Sequence, residues 1–388
     1  MRFKVNFPVE IFFGEGEADH IGEIAKKYGK TAFAVIDPFL KGSAVEERVE
    51  RKLTEAGVEA VPFYEVVPNP TVELIDKGAE MVRNGNYDMV IAIGGGSSID
   101  TGKAIALLAT NEGSCWEYTE RLGANVVRPK VKGLPLISVP TTAGTGSEAT
   151  PYAVINNPAI HQKCTIVSPM VFPVASIVDP ELMMTMPPAL TALTGVDAFS
   201  HAFESYINVN AHPFSEMVAL ESIKRFAGNI VEAVKNGSDI KARREMALAC
   251  TFGGMAIAHA GTTVPHALGQ PLSGLTNAPH GGTIAACLPE VVEWTLPVAA
   301  EKFAVVAEIL DPSLKTESVN QKASRLPLIL ENLFKEIGAD VTFGGYGLKE
   351  DEIEGFADTV YTSFQLDLKG HPKVATREDI IYLIRQCM

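Results

Sequence analysis

The sequence is short of positive charge, of paired cysteines and of long apolar runs, and each shortage removes a class of function. Lys and Arg total 33 against 47 Asp and Glu, a formal net charge of -14 over 388 residues. A surface of that sign repels phosphate backbones and anionic headgroups, so neither nucleic acid nor membrane is an expected partner. The five cysteines, Cys115, Cys164, Cys250, Cys287 and Cys387, are odd in number, scattered and without a CxxC pair. They supply neither a disulfide framework nor a zinc ribbon and fit a reducing compartment. No stretch of about 18 continuous apolar residues is present to span a bilayer. The polar stretch Met1-Arg2-Phe3-Lys4-Val5-Asn6-Phe7-Pro8 does not read as a secretory signal. The expectation is a cytoplasmic protein without repeats or low-complexity tracts.

What is present suits a folded enzyme, with 46% hydrophobic and 21% charged residues. The length favours two domains, with one large α/β barrel as the alternative. In the first half, apolar strand-like runs (Thr31–Ile36, Val58–Tyr64, Met89–Ile93, Leu136–Pro140) alternate with helix-like ones (Ala44–Gly57, Val72–Asn84, Ile99–Ala109). Strands apolar throughout imply a parallel sheet covered on both faces. After Ser176–Asp179 the pattern turns helical, with runs predicted over 189–209, 215–235, 240–259, 296–309 and 318–337. The boundary falls near residue 182, giving an α/β domain over 1–182 and an all-helical domain over 183–388.

From Met246 to Pro289 there is no Asp, Glu, Lys or Arg, yet the segment carries His259, His266 and His280. Gly, Pro and Thr punctuate it, so it is not a lipid-spanning helix; it is buried in the protein or lines a cavity. Buried imidazoles need partners, and a metal ion is one such partner.

Two loops carry possible cofactor chemistry. Gly94-Gly95-Gly96-Ser97-Ser98-Ile99-Asp100 lies between a buried strand and a helix, where glycines admit a diphosphate to the helix N-terminus. It is not a GxGxxG fingerprint, and a tight strand-to-helix turn is the alternative reading, against which the second loop weighs. Pro140-Thr141-Thr142-Ala143-Gly144-Thr145-Gly146-Ser147-Glu148 follows the next buried strand, and ligands of open α/β sheets bind at such strand ends. Asp37 closes the first of these strands. It either opens an Asp-Pro turn or accepts from an adenosine ribose, and beside the glycine loops it favours NAD over NADP.

Asp197 and His201 stand at i and i+4 of one predicted helix, so both project from one face. That is the spacing of two ligands to one divalent metal, and equally of an ordinary Asp–His pair. His266 and His280 would complete a shell of three imidazoles and one carboxylate. The remaining histidines, His20, His161, His212 and His371, stand in contexts that suit exposed or structural roles.

These motifs resemble those of the iron-containing (group III) alcohol dehydrogenases. Gly94–Asp100 is similar to that family's GGGSxxD, Pro140–Glu148 to its PTTxGTGSE and Asp197–Glu204 to its DAxxHAxE. His266-Ala267-Leu268 and Pro279-His280-Gly281 match its two later histidine motifs. The resemblance implies the dehydroquinate synthase-like fold of that family, an N-terminal dinucleotide-binding α/β domain with a parallel sheet followed by an all-helical C-terminal domain. It implies NAD and a divalent metal, Fe2+ with Zn2+ as the alternative, held by Asp197, His201, His266 and His280. Nucleotide contacts carry over to Asp37, Asn69, Gly95, Gly96, Ser97 and Asp100, then to Thr141, Thr142, Thr145, Lys163 and Leu182. It also implies a small alcohol or aldehyde substrate and a homodimer or higher homo-oligomer.

One departure concerns the proton. Many members carry a second histidine four residues after the third metal ligand, where this chain has Gln270. An amide hydrogen-bonds but does not titrate, so His259 becomes the candidate relay. Two other readings are a metal- and NAD-using lyase of dehydroquinate synthase type and a non-catalytic nucleotide or metal sensor. The first needs Lys and Arg around a polyanionic substrate, which the segment 246–289 does not offer; four intact metal ligands argue against the second.

Overall fold

A computed structural model describes residues 2–388 except 122 and 161. His161 therefore lies outside the described residues. The chain divides into two units, one of Asn6–Thr142 with Ser147–Thr185 and one of Met1–Val5, Ala143–Gly146 and Met186–Met388.

The first unit is built on a parallel sheet of β1 (Glu10–Phe13), β2 (Thr31–Ile36), β3 (Glu59–Phe63), β4 (Met89–Gly94), β5 (Leu136–Pro140) and β8 (Ala175–Val178). The strand order is β1-β8-β5-β4-β2-β3, and each pairing is parallel. The continuous apolar runs follow from two covered faces. Phe33, Val35, Val90 and Ala92 enter one apolar core, with Ile75 of α3 (Val72–Asn84) and Ile105 of α4 (Gly96–Leu108). The alternate residues Ala34, Ile36, Ile91 and Ile93 enter the other, with Ile24 of α1 (Ile21–Ala25) and Leu53 of α2 (Ala44–Glu55). Period-two alternation across a pleated strand divides the side chains this way. The predicted sheet is thus found, with two additions. Strand β1 is a short edge, and β6 (Tyr152–Asn157) pairs antiparallel with β7 (Gln162–Val167) outside the main sheet.

Register then places the functional ends together. Asp37 donates its N–H to the Ile93 carbonyl at 2.9 Å, and Thr141 donates to Gly94 at 3.0 Å. The loops after β2, β4 and β5 therefore leave side by side from three neighbouring strands.

The second unit is helical among the described residues from 188 onward. It contains α5 (Pro188–Ile207), α6 (Pro213–Lys235), α7 (Ile240–Ala260), α8 (Val264–Thr276) and α9 (His280–Ala285). Then come α10 (Leu288–Leu310), α11 (Val319–Ile337), α12 (Ile353–Ser363), α13 (Gln365–Gly370) and α14 (Arg377–Gln386). Helix α10 begins eight residues before the predicted 296, because Pro297 lies inside it and the chain continues past a kink at Ala299. The charge-free segment becomes most of α7, all of α8 and α9, and the start of α10. No single helix among the described residues is long and apolar enough to cross a membrane.

Helix α5 is packed against α6, α7 and α9 and is buried without a break from Gly195 to Ile207. The start of α9 reaches it only because Gly281 has no side chain. A Cβ there would stand 2.0 Å from the Leu193 carbonyl and 3.4 Å from Asp197 Cβ.

Candidate metal centre and nucleotide loops

Asp197, His201 and Glu204 occupy i, i+4 and i+7 of α5, one stripe of a helix with 3.6 residues per turn. All three are buried. His201 Nδ1 lies 3.3 Å from the Gly144 carbonyl, and His266 Nδ1 lies 2.5 Å from Glu204 Oε1. A carbonyl and a carboxylate only accept, so both Nδ1 atoms carry hydrogen. That leaves Nε2 as the lone-pair nitrogen of each neutral ring, and the two Nε2 atoms face each other at 3.0 Å. Asp197 Oδ1 stands 3.7 Å from each and 3.6 Å from His280 Nε2. It is buried with no hydrogen-bond partner.

Two lone pairs at that separation repel unless a proton or cation lies between them. Burial opposes charge on His266, but Glu204 and Asp197 outweigh it and lift the ring to about 10. Burial prevails at His201, whose pKa is lowered. Burial also opposes the Asp197 charge, yet His201, His280 and His266 together hold its carboxyl below the usual range. One shared proton thus satisfies the pair of rings while the orphaned carboxylate oxygen keeps none. A divalent cation satisfies all of them. Tetrahedral donors about 2.1 Å from a metal are about 3.4 Å apart, within the separations found among Asp197, His201 and His266, the compact group of donors, with His280 Nε2 beside it at 3.6 Å from Asp197 Oδ1. Three imidazoles with one carboxylate suit Fe2+ and Zn2+ alike.

In the first unit, the loop after β4 leaves with Gly94 at φ 145°, and a Cβ there would strike Asp37 Cβ at 2.8 Å. A Cβ on Gly95 would come within 3.3 Å of Thr142. These gaps leave backbone at the start of α4, where first-turn N–H groups lack helical acceptors and attract a diphosphate. Asp37 Oδ1 accepts the Phe39 N–H at 3.0 Å. Asn69, left-handed at φ 56°, accepts from Lys163 Nζ at 2.8 Å, because the Pro70 carbonyl receives the Asn156 N–H of the β6–β7 pair. Sequence-distant Asn69 and Lys163 are thus brought together. Thr145, by contrast, lies with Gly144 in the segment assigned to the second unit.

Three predicted residues, Asp100, Leu182 and His259, are engaged otherwise than expected, while Gln270 keeps its candidate place. Both Asp100 oxygens are engaged by the protein, Oδ1 by the Ser147 hydroxyl at 2.6 Å and Oδ2 by the Val154 N–H at 3.0 Å. Asp100 therefore holds the second loop instead of reaching for a cofactor. Leu182 is buried in the same apolar core as Ile36 and Ile93, which leaves its side chain a packing role. Gln270 sits one turn beyond His266 on α8 and is part-buried. His259 has its Nδ1 on the Met255 carbonyl at 2.7 Å and its ring against Phe214, at 4.9 Å between centroids. The face of α7 nearest His201 is marked by Gly253, where a Cβ would lie 3.5 Å from His201 Cβ. Six residues later a side chain points about 120° away round the axis, which turns His259 toward α6 and is the physical reason against a relay through it.

Two further residues escaped the sequence reading. Glu204 accepts from Ser200 and His266 on Oε1 and from Thr263 on Oε2; its position seven after Asp197 was the available signal. Lys103 is fully buried and donates to Ser147 Oγ (2.8 Å), Thr150 O (3.0 Å) and Tyr152 O (2.7 Å). No local pattern marks it. His371 lies between α13 and α14 and is buried, a structural role, with its Nε2 2.8 Å from the Thr295 hydroxyl.

Comparison with known proteins agrees with this geometry across the chain. Residues 8–180 match the iron-containing alcohol dehydrogenase model, and residues 191–388 match the C-terminal model of the Fe-containing alcohol dehydrogenase family. An NAD-dependent methanol dehydrogenase of Bacillus methanolicus is 34% identical over 98% of both chains. A choline dehydrogenase of Bacillus subtilis is 38% identical over 82% of this chain and 79% of its own. The crystal structure of an archaeal halo-thermophilic alcohol dehydrogenase from a Red Sea brine pool superposes with a TM-score of 0.95 at 33% identity, covering all of both chains. With matches in both halves, the chain belongs to the iron-containing alcohol dehydrogenase family and is an oxidoreductase interconverting alcohols and aldehydes.

Proposed function

We propose that the chain is an NAD-dependent alcohol dehydrogenase holding one divalent metal ion on Asp197, His201, His266 and His280. The observation that carries this is the 3.0 Å approach of two imidazole Nε2 atoms whose Nδ1 atoms are already committed, beside an orphaned buried carboxylate oxygen. When bound, the cation supplies a Lewis acid for an alcohol or carbonyl oxygen, and the nicotinamide supplies the hydride acceptor or donor.

The chain's own residues do the rest. Gly144 and Glu204 hold the two rings in the tautomer that presents Nε2, as outer hydrogen bonds do for metal-binding histidines. Gly95, Gly96 and Ser97 offer backbone N–H groups to a diphosphate, with Thr141, Thr142, Asn69 and Lys163 on neighbouring segments of the same unit. Asp37 retains Oδ2 for a ribose hydroxyl and repels a 2′-phosphate. Gln270 holds a substrate oxygen or a water without titrating. NAD use is supported further by the name of the Bacillus methanolicus relative. The homo-oligomer rests on family resemblance, and sedimentation checks it.

Metal-stripped protein reloaded with Fe2+ or Zn2+ and offered alcohols and aldehydes should change NADH absorbance, and His266→Ala should not. Equal turnover by stripped and reloaded protein would sink the reading. The lyase and sensor alternatives are not favoured by the family match.

A further inference from the structure

The turn between α7 and α8 is gripped from two sides. Thr263 donates its N–H at 2.6 Å and its hydroxyl at 3.1 Å to Glu204 Oε2. One residue earlier, Thr262 donates its hydroxyl to Asp367 Oδ1 on α13 at 2.5 Å. The Thr262 carbonyl accepts from Asn208 Nδ2 at 3.0 Å, just beyond α5. Helix α13 is seated on this turn by its last residue. The Gly370 carbonyl accepts the Val209 N–H at 2.9 Å. A Cβ on Gly370 would stand 2.6 Å from Asn208 Nδ2 and 3.0 Å from the Thr262 carbonyl. Glu204 completes the path, because its other oxygen accepts from His266 Nδ1.

We propose that Asp367 is a positioning residue for His266, acting through the Thr262–Thr263 turn and the Glu204 carboxylate, so that a C-terminal helix sets the affinity of the cation site. The inference rests on His266 being a metal ligand. Glu204 Oε2 receives two of its three donors from Thr263 and the third from the His266 N–H, so displacing the turn leaves the carboxylate held mainly by Ser200 on Oε1 and lets the imidazole shift with it. Asp367 reaches the site through the Thr262 hydroxyl, which donates to its Oδ1. Outer contacts of this kind typically change metal affinity by about 10–100-fold.

The experiment measures the affinity of metal-stripped protein for Zn2+ by competition with a chromophoric chelator, with the thermal midpoint recorded alongside. The set is wild type, His266→Ala, Thr262→Val, Asp367→Ala, the Thr262→Val/Asp367→Ala double variant and Asp367→Asn. Asp367→Ala and Thr262→Val should each weaken binding about 10-fold. The double variant should be no weaker than either, since residues acting through one contact are not additive. Asp367→Asn, still an acceptor for the Thr262 hydroxyl, should bind within about 3-fold of wild type. Should Asp367→Ala fail to fold, Thr262→Val and Asp367→Asn decide the matter. A lowered midpoint with unchanged affinity in Thr262→Val and Asp367→Ala would make Asp367 a mere anchor of α13 and overturn the inference, as would full additivity. If His266→Ala loses the metal while those variants keep it, the metal assignment stands and only the inference fails. Wild-type affinity in His266→Ala overturns both.

Discussion

Nε2 of His201 and Nε2 of His266 lie 3.0 Å apart, each on a ring whose Nδ1 is bound to an acceptor from a different part of the chain. Separated rings would each be solvated, and a ring pair with free Nδ1 atoms could choose tautomers that hydrogen-bond. Here the Nδ1 positions are fixed, and the facing Nε2 atoms share one proton until a cation displaces it.

Metal binding should therefore release a proton. Metal-free His266 is raised to about 10, so at pH 7 it is protonated, while His201 is lowered and contributes nothing. Cation affinity should rise with pH through neutrality, by at most about tenfold per unit, and fall in acid. Calorimetry in two buffers of different ionisation enthalpy measures this directly. Heats independent of the buffer would contradict His266 as a ligand.

Cofactor preference should follow Asp37. Asp37→Asn keeps an acceptor for the Phe39 N–H but removes the charge, so kcat/KM for NADPH should rise relative to that for NADH. A wild-type enzyme already as efficient with NADPH would show that the carboxylate does not face the 2′ position.

Lys103 should act on the nucleotide loops without touching nucleotide. Burial outweighs the attraction of Asp100 and Glu148 and brings it down to about 8, yet its ammonium lies 4.0 Å from Asp100 Oδ1. Lys103→Met should cost about 3–5 kcal/mol in urea unfolding, because a buried carboxylate loses its partner. In protein that remains folded, KM for NADH should rise with little change in kcat. A fall in kcat at constant KM would contradict a role in holding the Ser147–Tyr152 segment.

Proton transfer should not depend on His259. His259→Ala should leave kcat within about 3-fold of wild type and the pH profile unchanged, whereas losing a general base typically costs about 10²–10⁴. Gln270→His should add an ionisation near neutral pH. A kcat loss of the larger size in His259→Ala would restore the relay.

By itself the sequence determined what is local. Apolar runs such as Met89–Ile93 required two covered faces, and the glycines of Gly94–Gly96 required backbone to come close to something. The i, i+4 spacing put Asp197 and His201 on one face, since helix period alone decides that. The tertiary structure decided which atoms of those residues remain available. His201 finds the Gly144 carbonyl and His266 finds Glu204 only after α5, α7 and α8 have packed. Asp100 is consumed by Ser147 and Val154, and His259, in the same charge-free segment as His266, is turned toward Phe214. Periodicity encodes direction relative to one helix or strand. A hydrogen-bond partner dozens of residues away depends on the register between elements, which no local pattern specifies.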